Sequence, residues 1–378
     1  AWDKILINQF HDVLPGSSIP YQYEVTYNNQ ELAKNLLNNV QNDGLQAIAY
    51  KADTNVDGTP VLVFNPLSWE RSDMVETTVR FTDAVPEQIA VYDGDTLVPS
   101  TVTARDEEKK TATIRFQANA LPSVGFKIFT VKAGDGTVET NLSVEENDSL
   151  FVMENEFLKV EIDKETGNIA QVYNKKDNNR PVFADGYQGN EIHIYKDTGG
   201  SSYPAWDLVM DEMNADPVAI LDDTPEAIEI IENSPDRVVV RVSRSWSNSS
   251  MYQDITLYPD SDRVDVKMHV NWNEDQRMIK ISFPFAAESD HATYEIAYGA
   301  LERPTTRDNS IDNAKFEVSG HKWADVTDDS GEFGASILND SKYGWDAIQL
   351  KDEEGNVEAT RLRLTALRSP MGASVRCS

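Results

Sequence analysis

The chain has 378 residues, of which 40% are hydrophobic and 26% are charged. Its 64 acidic residues outnumber 34 basic ones, and the formal net charge of −30 argues against binding to nucleic acid or to an anionic membrane surface. No apolar run is long enough to span a membrane, and no signal-peptide pattern is present. The length is sufficient for two or three hydrophobic cores. The lone cysteine, Cys377, cannot form an internal disulfide, so we expect a cytoplasmic protein.

The first segment has the periodicity of a short amphipathic helix, with residues at spacings of three and four: Trp2, Ile5, Leu6, Gln9 and Val13. Pro15-Gly16 ends this pattern, because proline lacks an amide hydrogen and glycine accepts left-handed dihedral angles. His11 and Asp12 are therefore predicted in the last helical turn. A neutral imidazole there can bind a metal or a sugar hydroxyl, and the carboxylate can accept hydrogen bonds from hydroxyl groups. Taken alone, the pair has a simpler interpretation, a histidine stabilised by the helix dipole.

A second, longer helix is predicted to follow, with Ser17 or Ser18 as its N-cap and its end near Tyr50. Apolar residues keep helical spacing along it, although Asn42-Asp43-Gly44 could interrupt it. The two helices form a hairpin over residues 1–52. Because each helix has only one apolar stripe, we expect a further helix or a sheet upstream to cover them.

Beyond the turn-forming linker from Asp53 to Pro60, the hydrophobic pattern changes to period two. Short strands separated by polar turns predict a small β-sandwich over residues 60–132. After a polar, acidic stretch, alternating strands run from residue 145 to 378 with no helical pattern between them, which predicts a large antiparallel β-sandwich. The fold class is therefore mainly β, with an N-terminal helical hairpin.

The sequence around the histidine, Gln9-Phe10-His11-Asp12 with Leu14-Pro15-Gly16-Ser17-Ser18, resembles the segment that closes the active site in α-mannosidases of glycoside hydrolase family 38. Further segments similar to this family follow in the family's order along nearly the whole chain: Val63-Phe64-Asn65-Pro66-Leu67-Ser68-Trp69, Gly189-Asn190-Glu191-Ile192, Ala205-Trp206-Asp207 and Leu367-Arg368-Ser369-Pro370. Met371 to Ser378 departs from the family pattern. The resemblance implies that the large β region is a galactose-mutarotase-like supersandwich.

The resemblance also implies a role for the His-Asp pair. In the family, the matching histidine is one of four zinc ligands and the adjacent aspartate binds the substrate sugar, which makes His11 the expected zinc ligand and Asp12 a substrate-binding residue. The other ligands, and the aspartate nucleophile of the retaining reaction, lie in a preceding α/β domain with no counterpart in this sequence. We therefore assign no catalytic residue to this chain, and we expect its Zn²⁺ site to be incomplete and the chain alone to be inactive.

The expected partners are the missing N-terminal catalytic domain and a mannose-containing oligosaccharide, and a homodimer is left open. Asn190, Asp197 and Asp207 are predicted to bind substrate from loops that face the catalytic domain, because Asp197 precedes the flexible Thr198-Gly199-Gly200. An ordinary Asx turn explains the same pattern.

Two other functions are open. The first is a carbohydrate-binding module that stacks sugars on tryptophans, the candidates being Trp206, Trp246, Trp272, Trp323 and Trp345. The second is a purely structural module. The remaining histidines follow no metal-ligand spacing; His193 and His269 are predicted in strands, and His291 in an acidic loop.

Overall fold

The structure is a computed structural model that describes residues 1–200 and 203–370. Two helices open the chain, α1 over Trp2–Ile7 and α2 over Pro20–Ala49, and they pack against each other. No helix among the described residues is both long enough and apolar enough to cross a membrane.

The helix α1 is shorter than predicted, and this moves the His-Asp pair out of it. The side-chain amide of Asn8 donates to the Lys4 carbonyl at 2.6 Å, while the Asn8 backbone N–H donates to Ile5. The Asn8 side chain thus takes the acceptor that the next helical hydrogen bond would use, which ends the helix. The prediction of His11 and Asp12 in a last helical turn was wrong, since both lie in the turns that follow α1.

The predicted start of α2 was also wrong. Ile19 is the N-cap and Pro20 is the first helical residue, where its fixed φ is favourable and its missing N–H costs nothing. Ser18 is held instead by a hydrogen bond from its N–H to the Tyr23 hydroxyl at 2.9 Å. The helix runs through Asn42-Asp43-Gly44 without interruption.

Seven strands form the small β-sandwich: β1 Thr59–Asn65, β2 Arg71–Arg80, β3 Ile89–Asp93, β4 Thr96–Val98, β5 Ser100–Asp106, β6 Thr111–Leu121 and β7 Gly125–Ala133. They make two antiparallel sheets, in the orders β1-β7-β3-β4 and β2-β6-β5. Apolar side chains such as Phe116 and Phe129 fill the core between the sheets. The period-two pattern of this region therefore reflects one buried face per strand.

The second β region contains the remaining described strands: β8 Ser143–Glu146, β9 Leu150–Glu154, β10 Leu158–Asp163, β11 Ile169–Asn174, β12 Arg180–Pro181, β13 Glu191–Lys196, β14 Ala219–Ile220, β15 Ala227–Ser234, β16 Arg237–Trp246, β17 Ser249–Leu257, β18 Asp265–Asn271, β19 Arg277–Phe285, β20 His291–Ile296, β21 Gly299–Pro304, β22 Val318–Ser319, β23 Trp323–Thr327, β24 Gly334–Leu338, β25 Gly344–Lys351 and β26 Val357–Ser369. Two short helices interrupt them, α3 Met210–Asn214 and α4 Ser310–Asn313.

These strands form four antiparallel sheets, in the orders β12-β11-β10-β9-β8, β14-β13-β19-β26-β25-β22, β15-β16-β17-β18 and β21-β20-β23-β24. One apolar core joins residues from all four, with Trp345 among its largest fully buried side chains. The mainly β fold with antiparallel sandwiches is confirmed. The boundaries 1–52, 60–132 and 145–378 stay a prediction.

Two buried ionic clusters hold this framework. Arg115 on β6 binds Asp236 and Glu232, so it connects the small sandwich to the β15-β16 hairpin. In the six-stranded sheet, the Asp346 carboxylate accepts hydrogen bonds from Lys280 at 2.6 Å and from Arg363 at 2.8 Å. Because all three of these side chains are nearly inaccessible to solvent, each charge depends on its partners.

Candidate functional site

The His11-Asp12 pair occupies the turn between the two helices. The His11 side chain is 71% exposed, and its Nε2 lies 3.6 Å from Oδ2 of Asp12. Two hydrogen bonds fix the turn: the Asp12 carbonyl accepts from the Ser17 N–H at 3.2 Å and from the Tyr23 hydroxyl at 3.4 Å. An exposed imidazole on a fixed turn is available to a metal or to a hydroxyl group.

The surface around this turn, and the surface further along α2, are unusually apolar. Leu6, Phe10 and Leu14 are each more than half exposed, at 61%, 57% and 63%. On α2, a further set of large apolar side chains is at least 43% exposed: Leu32, Leu36, Leu37 and Val40. An apolar surface of this extent is a feature of protein contact sites and not of ordinary solvent-facing helices.

One imidazole does not make a zinc site. Protein zinc sites use three or four convergent ligands, and among residues 1–200 and 203–370 no group of three or more His, Cys, Asp or Glu side chains could hold a metal ion. His11 has the donor chemistry for zinc, but among the described residues the one carboxylate paired with it is that of Asp12. A metal bound at His11 therefore needs ligands from elsewhere.

Asn190 lies immediately before β13, with a left-handed φ of 61°. Its side chain is buried, and Oδ1 accepts a hydrogen bond from Nε2 of Gln253 at 2.9 Å. The amide thus joins β13 to β17 inside the protein. Asn190 would therefore affect a ligand only indirectly, by positioning the nearby backbone.

Asp197 is buried as well, and its carboxylate already has a partner. Arg368 binds it in a bidentate geometry, with Nε and Nη2 each 2.9 Å from a carboxylate oxygen. The same Nη2 donates to the backbone carbonyl of Asp207 at 2.9 Å. Arg368 therefore ties the loop of Asp197 to the loop of Asp207, whose own side chain is exposed.

Sequence reasoning missed this role of Arg368. The residue belongs to the Leu367-Arg368-Ser369-Pro370 segment, but it is separated from Asp197 by 171 positions. No local spacing connects them. The only signal in the sequence was an arginine within that family-like segment.

The tryptophans divide into different environments. Trp345 is buried, and Trp246 and Trp272 stack at 5.9 Å with an interplanar angle of 10°. Trp206 is 59% exposed beside Tyr203, with 5.7 Å between ring centroids. Among the histidines, His193 and His269 lie in strands as predicted, whereas His291, predicted in a loop, begins β20.

Solved structures share this fold. A protein of glycosyl hydrolase family 38 from Enterococcus faecalis superposes with a TM-score of 0.77 at 15% identity, over 98% of this chain and 48% of that one. An α-mannosidase from E. faecalis V583 gives a TM-score of 0.76 at 14% identity, over 98% and 46%. The chain therefore has the fold of about half of each of these two proteins.

The sequence makes the assignment more specific. Residues 153–374, more than half of the chain, match the model for the C-terminal domain of family 38 glycosyl hydrolases. The chain belongs to glycosyl hydrolase family 38.

Two curated relatives match nearly the whole chain. Alpha-mannosidase G of Dictyostelium discoideum is 30% identical over 418 residues, which cover 100% of this chain and 35% of that protein. Alpha-mannosidase 2C1 of Homo sapiens is 26% identical over 373 residues, which cover 98% and 31%. The chain thus spans about a third of the length of these relatives.

Proposed function

We propose that the chain is the C-terminal part of a zinc-dependent, retaining α-mannosidase that hydrolyses terminal α-mannosides. The relatives that match it along its length are named α-mannosidases. The observation that carries the proposal is the exposed His11-Asp12 pair on a fixed turn. In this proposal His11 supplies one zinc ligand and Asp12 accepts hydrogen bonds from mannose hydroxyls.

The rest of the zinc site would come from the N-terminal catalytic domain of the same polypeptide. Zinc there would bind sugar hydroxyls near the reacting carbon, while the nucleophile belongs to the other domain. The exposed apolar side chains beside His11 support such a partner. Burying them against another domain would be favourable by about 25 cal/mol for each Å² of apolar surface removed from water. We place the complete enzyme in the cytoplasm.

In this proposal, one of the other predicted substrate residues contacts the sugar directly, and two position the loops. Asp207 has an exposed carboxylate that can accept hydrogen bonds from sugar hydroxyls. Asp197 and Asn190 position the loops, since their side chains are buried and paired within this chain. Direct contact between Asp197 and a sugar would require its ion pair with Arg368 to break.

The experiment compares the present chain with the longer polypeptide that contains it. We expect the chain alone to release no nitrophenol from 4-nitrophenyl α-mannoside and to bind no stoichiometric zinc at submicromolar affinity. In the longer polypeptide, His11→Ala should reduce both the zinc content and the turnover, the latter at least about 100-fold, because a ligand matters at least as much as its supporting residues. In the present chain, where the His11 side chain is exposed, the same substitution should leave the melting temperature unchanged.

His291→Ala is the matched control, because His291 is also an exposed histidine. It should leave zinc content and turnover intact. Full zinc content in the His11→Ala protein would contradict the ligand assignment. Turnover by the present chain alone would contradict the division of the active site, and sugar binding without turnover in the longer polypeptide would favour a non-catalytic carbohydrate-binding module.

A further inference from the structure

A cavity of about 220 Å³ lies where the segment before β15 meets the end of β16. We call it the Trp246 pocket, and its polar and aromatic lining residues are Asp223, Thr224, Glu226, Arg244, Ser245 and Trp246. The pocket is smaller than the roughly 300–1,000 Å³ typical of drug-sized ligands. A single sugar ring is a ligand of suitable size.

Trp246 gives the pocket a rigid aromatic wall. Its indole stacks on that of Trp272 at 5.9 Å, and Trp272 is itself fixed by a hydrogen bond from Nε1 to the Ser369 hydroxyl at 2.9 Å. The face of an aromatic ring carries partial negative charge, so it attracts the weakly positive C–H groups of a pyranose ring. Because the indole is held in place, such stacking would cost little side-chain entropy.

Arg244 supplies hydrogen-bond donors at the base of the pocket. It is 5% exposed, and its guanidinium donates to the Asp223 carbonyl and to Oδ1 of Asn168, both at 3.2 Å, and to the Thr166 carbonyl. A guanidinium has five N–H donors, so these three acceptors do not use them all. Burial lowers the pKa of Arg244 to about 10, so the group stays charged at neutral pH.

Two exposed carboxylates determine which ligand charge the pocket favours. Asp223 and Glu226 are exposed, and Glu226 accepts a hydrogen bond from the Ser245 hydroxyl. Two carboxylates against one guanidinium, on a chain with a net charge of −30, repel an anion. Neutral hydroxyl groups suit this lining, because they can donate to the carboxylates and accept from Arg244.

We propose that the Trp246 pocket binds one neutral pyranose ring, stacked on Trp246 and hydrogen-bonded to Asp223, Glu226 and Arg244. The inference goes beyond the hydrolysis proposed above, since it requires neither zinc nor turnover. It assigns to the second β region a sugar-binding site separate from the His11-Asp12 turn.

The test uses the full 378-residue chain and methyl α-D-mannopyranoside, by isothermal titration and saturation-transfer NMR. We expect a dissociation constant of about 1 mM, and at least 10-fold weaker binding after Asp223→Ala with Glu226→Ala. Both side chains are exposed, so the fold should persist, which circular dichroism would verify. The matched control, Glu229→Ala, changes an exposed acid on β15 outside the lining and should leave binding unchanged.

Three results would overturn the proposal: no binding at 50 times the expected dissociation constant, equal binding by the double variant and the control, or tighter binding of glucuronate than of the neutral mannoside. A further variant separates this pocket from the His11 turn. Binding that is lost with His11→Ala and Asp12→Asn, but kept when Asp223 and Glu226 are replaced, would assign the sugar to the turn and refute the pocket. Binding that is lost when Asp223 and Glu226 are replaced, but kept with His11→Ala and Asp12→Asn, would support the pocket even if the longer polypeptide did not hydrolyse mannosides.

Discussion

The ion pair between Arg368 and Asp197 should be the main anchor of the loops that carry Asp197 and Asp207. Asp197 is 1% exposed at its side chain and Arg368 is 24% exposed. Replacing Arg368 with Met keeps much of the side-chain volume but leaves a buried carboxylate without its cation. Breaking a buried pair in this way costs about 3–5 kcal/mol. Because Arg368 is partly solvated, we expect a loss near 3 kcal/mol in the free energy of unfolding.

The assay is urea unfolding, followed by tryptophan fluorescence and circular dichroism. Arg263→Met is the matched control: Arg263 also binds an aspartate, Asp265, through Nε and Nη2, but these side chains are 55% and 36% exposed. Exposed pairs contribute about 0.2–1 kcal/mol, so the control should lose no more than that. The two pairs share the bidentate geometry and differ in burial and in the hydrogen bond from Arg368 to the Asp207 carbonyl, so the contrast measures these two differences together.

A double-mutant cycle tests the reason for the loss. With Asp197→Asn present, Arg368→Met should cost at least about 1 kcal/mol less than it does alone, because no charge is then left buried. The reasoning is refuted if Arg368→Met costs no more than Arg263→Met, or if the effects of Asp197→Asn and Arg368→Met simply add.

Two further predictions concern the buried ionic clusters. Asp346→Asn should lower the free energy of unfolding by about 3–5 kcal/mol, measured in urea, because it leaves Arg363 buried without a carboxylate and Lys280 with Glu317 alone; a loss below about 1 kcal/mol would contradict this. Burial alone would raise the pKa of Glu232, but hydrogen bonds from Arg237 and Arg115 outweigh it and the pKa is lowered below the ordinary 4.5. The stability that Glu232 contributes is therefore present above pH 4.5 and is lost as the pH falls through its lower folded-state pKa, so Glu232→Gln should flatten the acid side of the stability profile measured in urea between pH 3 and pH 7. An unchanged profile in that variant would show that other carboxylates cause the acid loss.

Local chemistry also explains where the sequence predictions failed at the candidate site. The Pro15-Gly16 break was recognised, but the helix had already ended, because the amide of Asn8 competes for the Lys4 carbonyl. Such competition is one of several options for an asparagine, and the sequence does not show which option is used. The partner of Asp197 is 171 positions away and was missed for a different reason, since only packing of the sheets brings it close.

The sequence by itself determined the two helices, the break between them at Pro15-Gly16 and the antiparallel β-sandwiches. These features follow from hydrophobic periods of three to four residues and of two, and from the special backbones of proline and glycine, all of which act over a few neighbouring residues. Only the tertiary structure decided that Asn190 and Asp197 are buried, that Arg368 holds two loops and that Trp246 and Arg244 line one pocket. Those results depend on which strands pair, a choice made by long-range burial of side chains that no local pattern records.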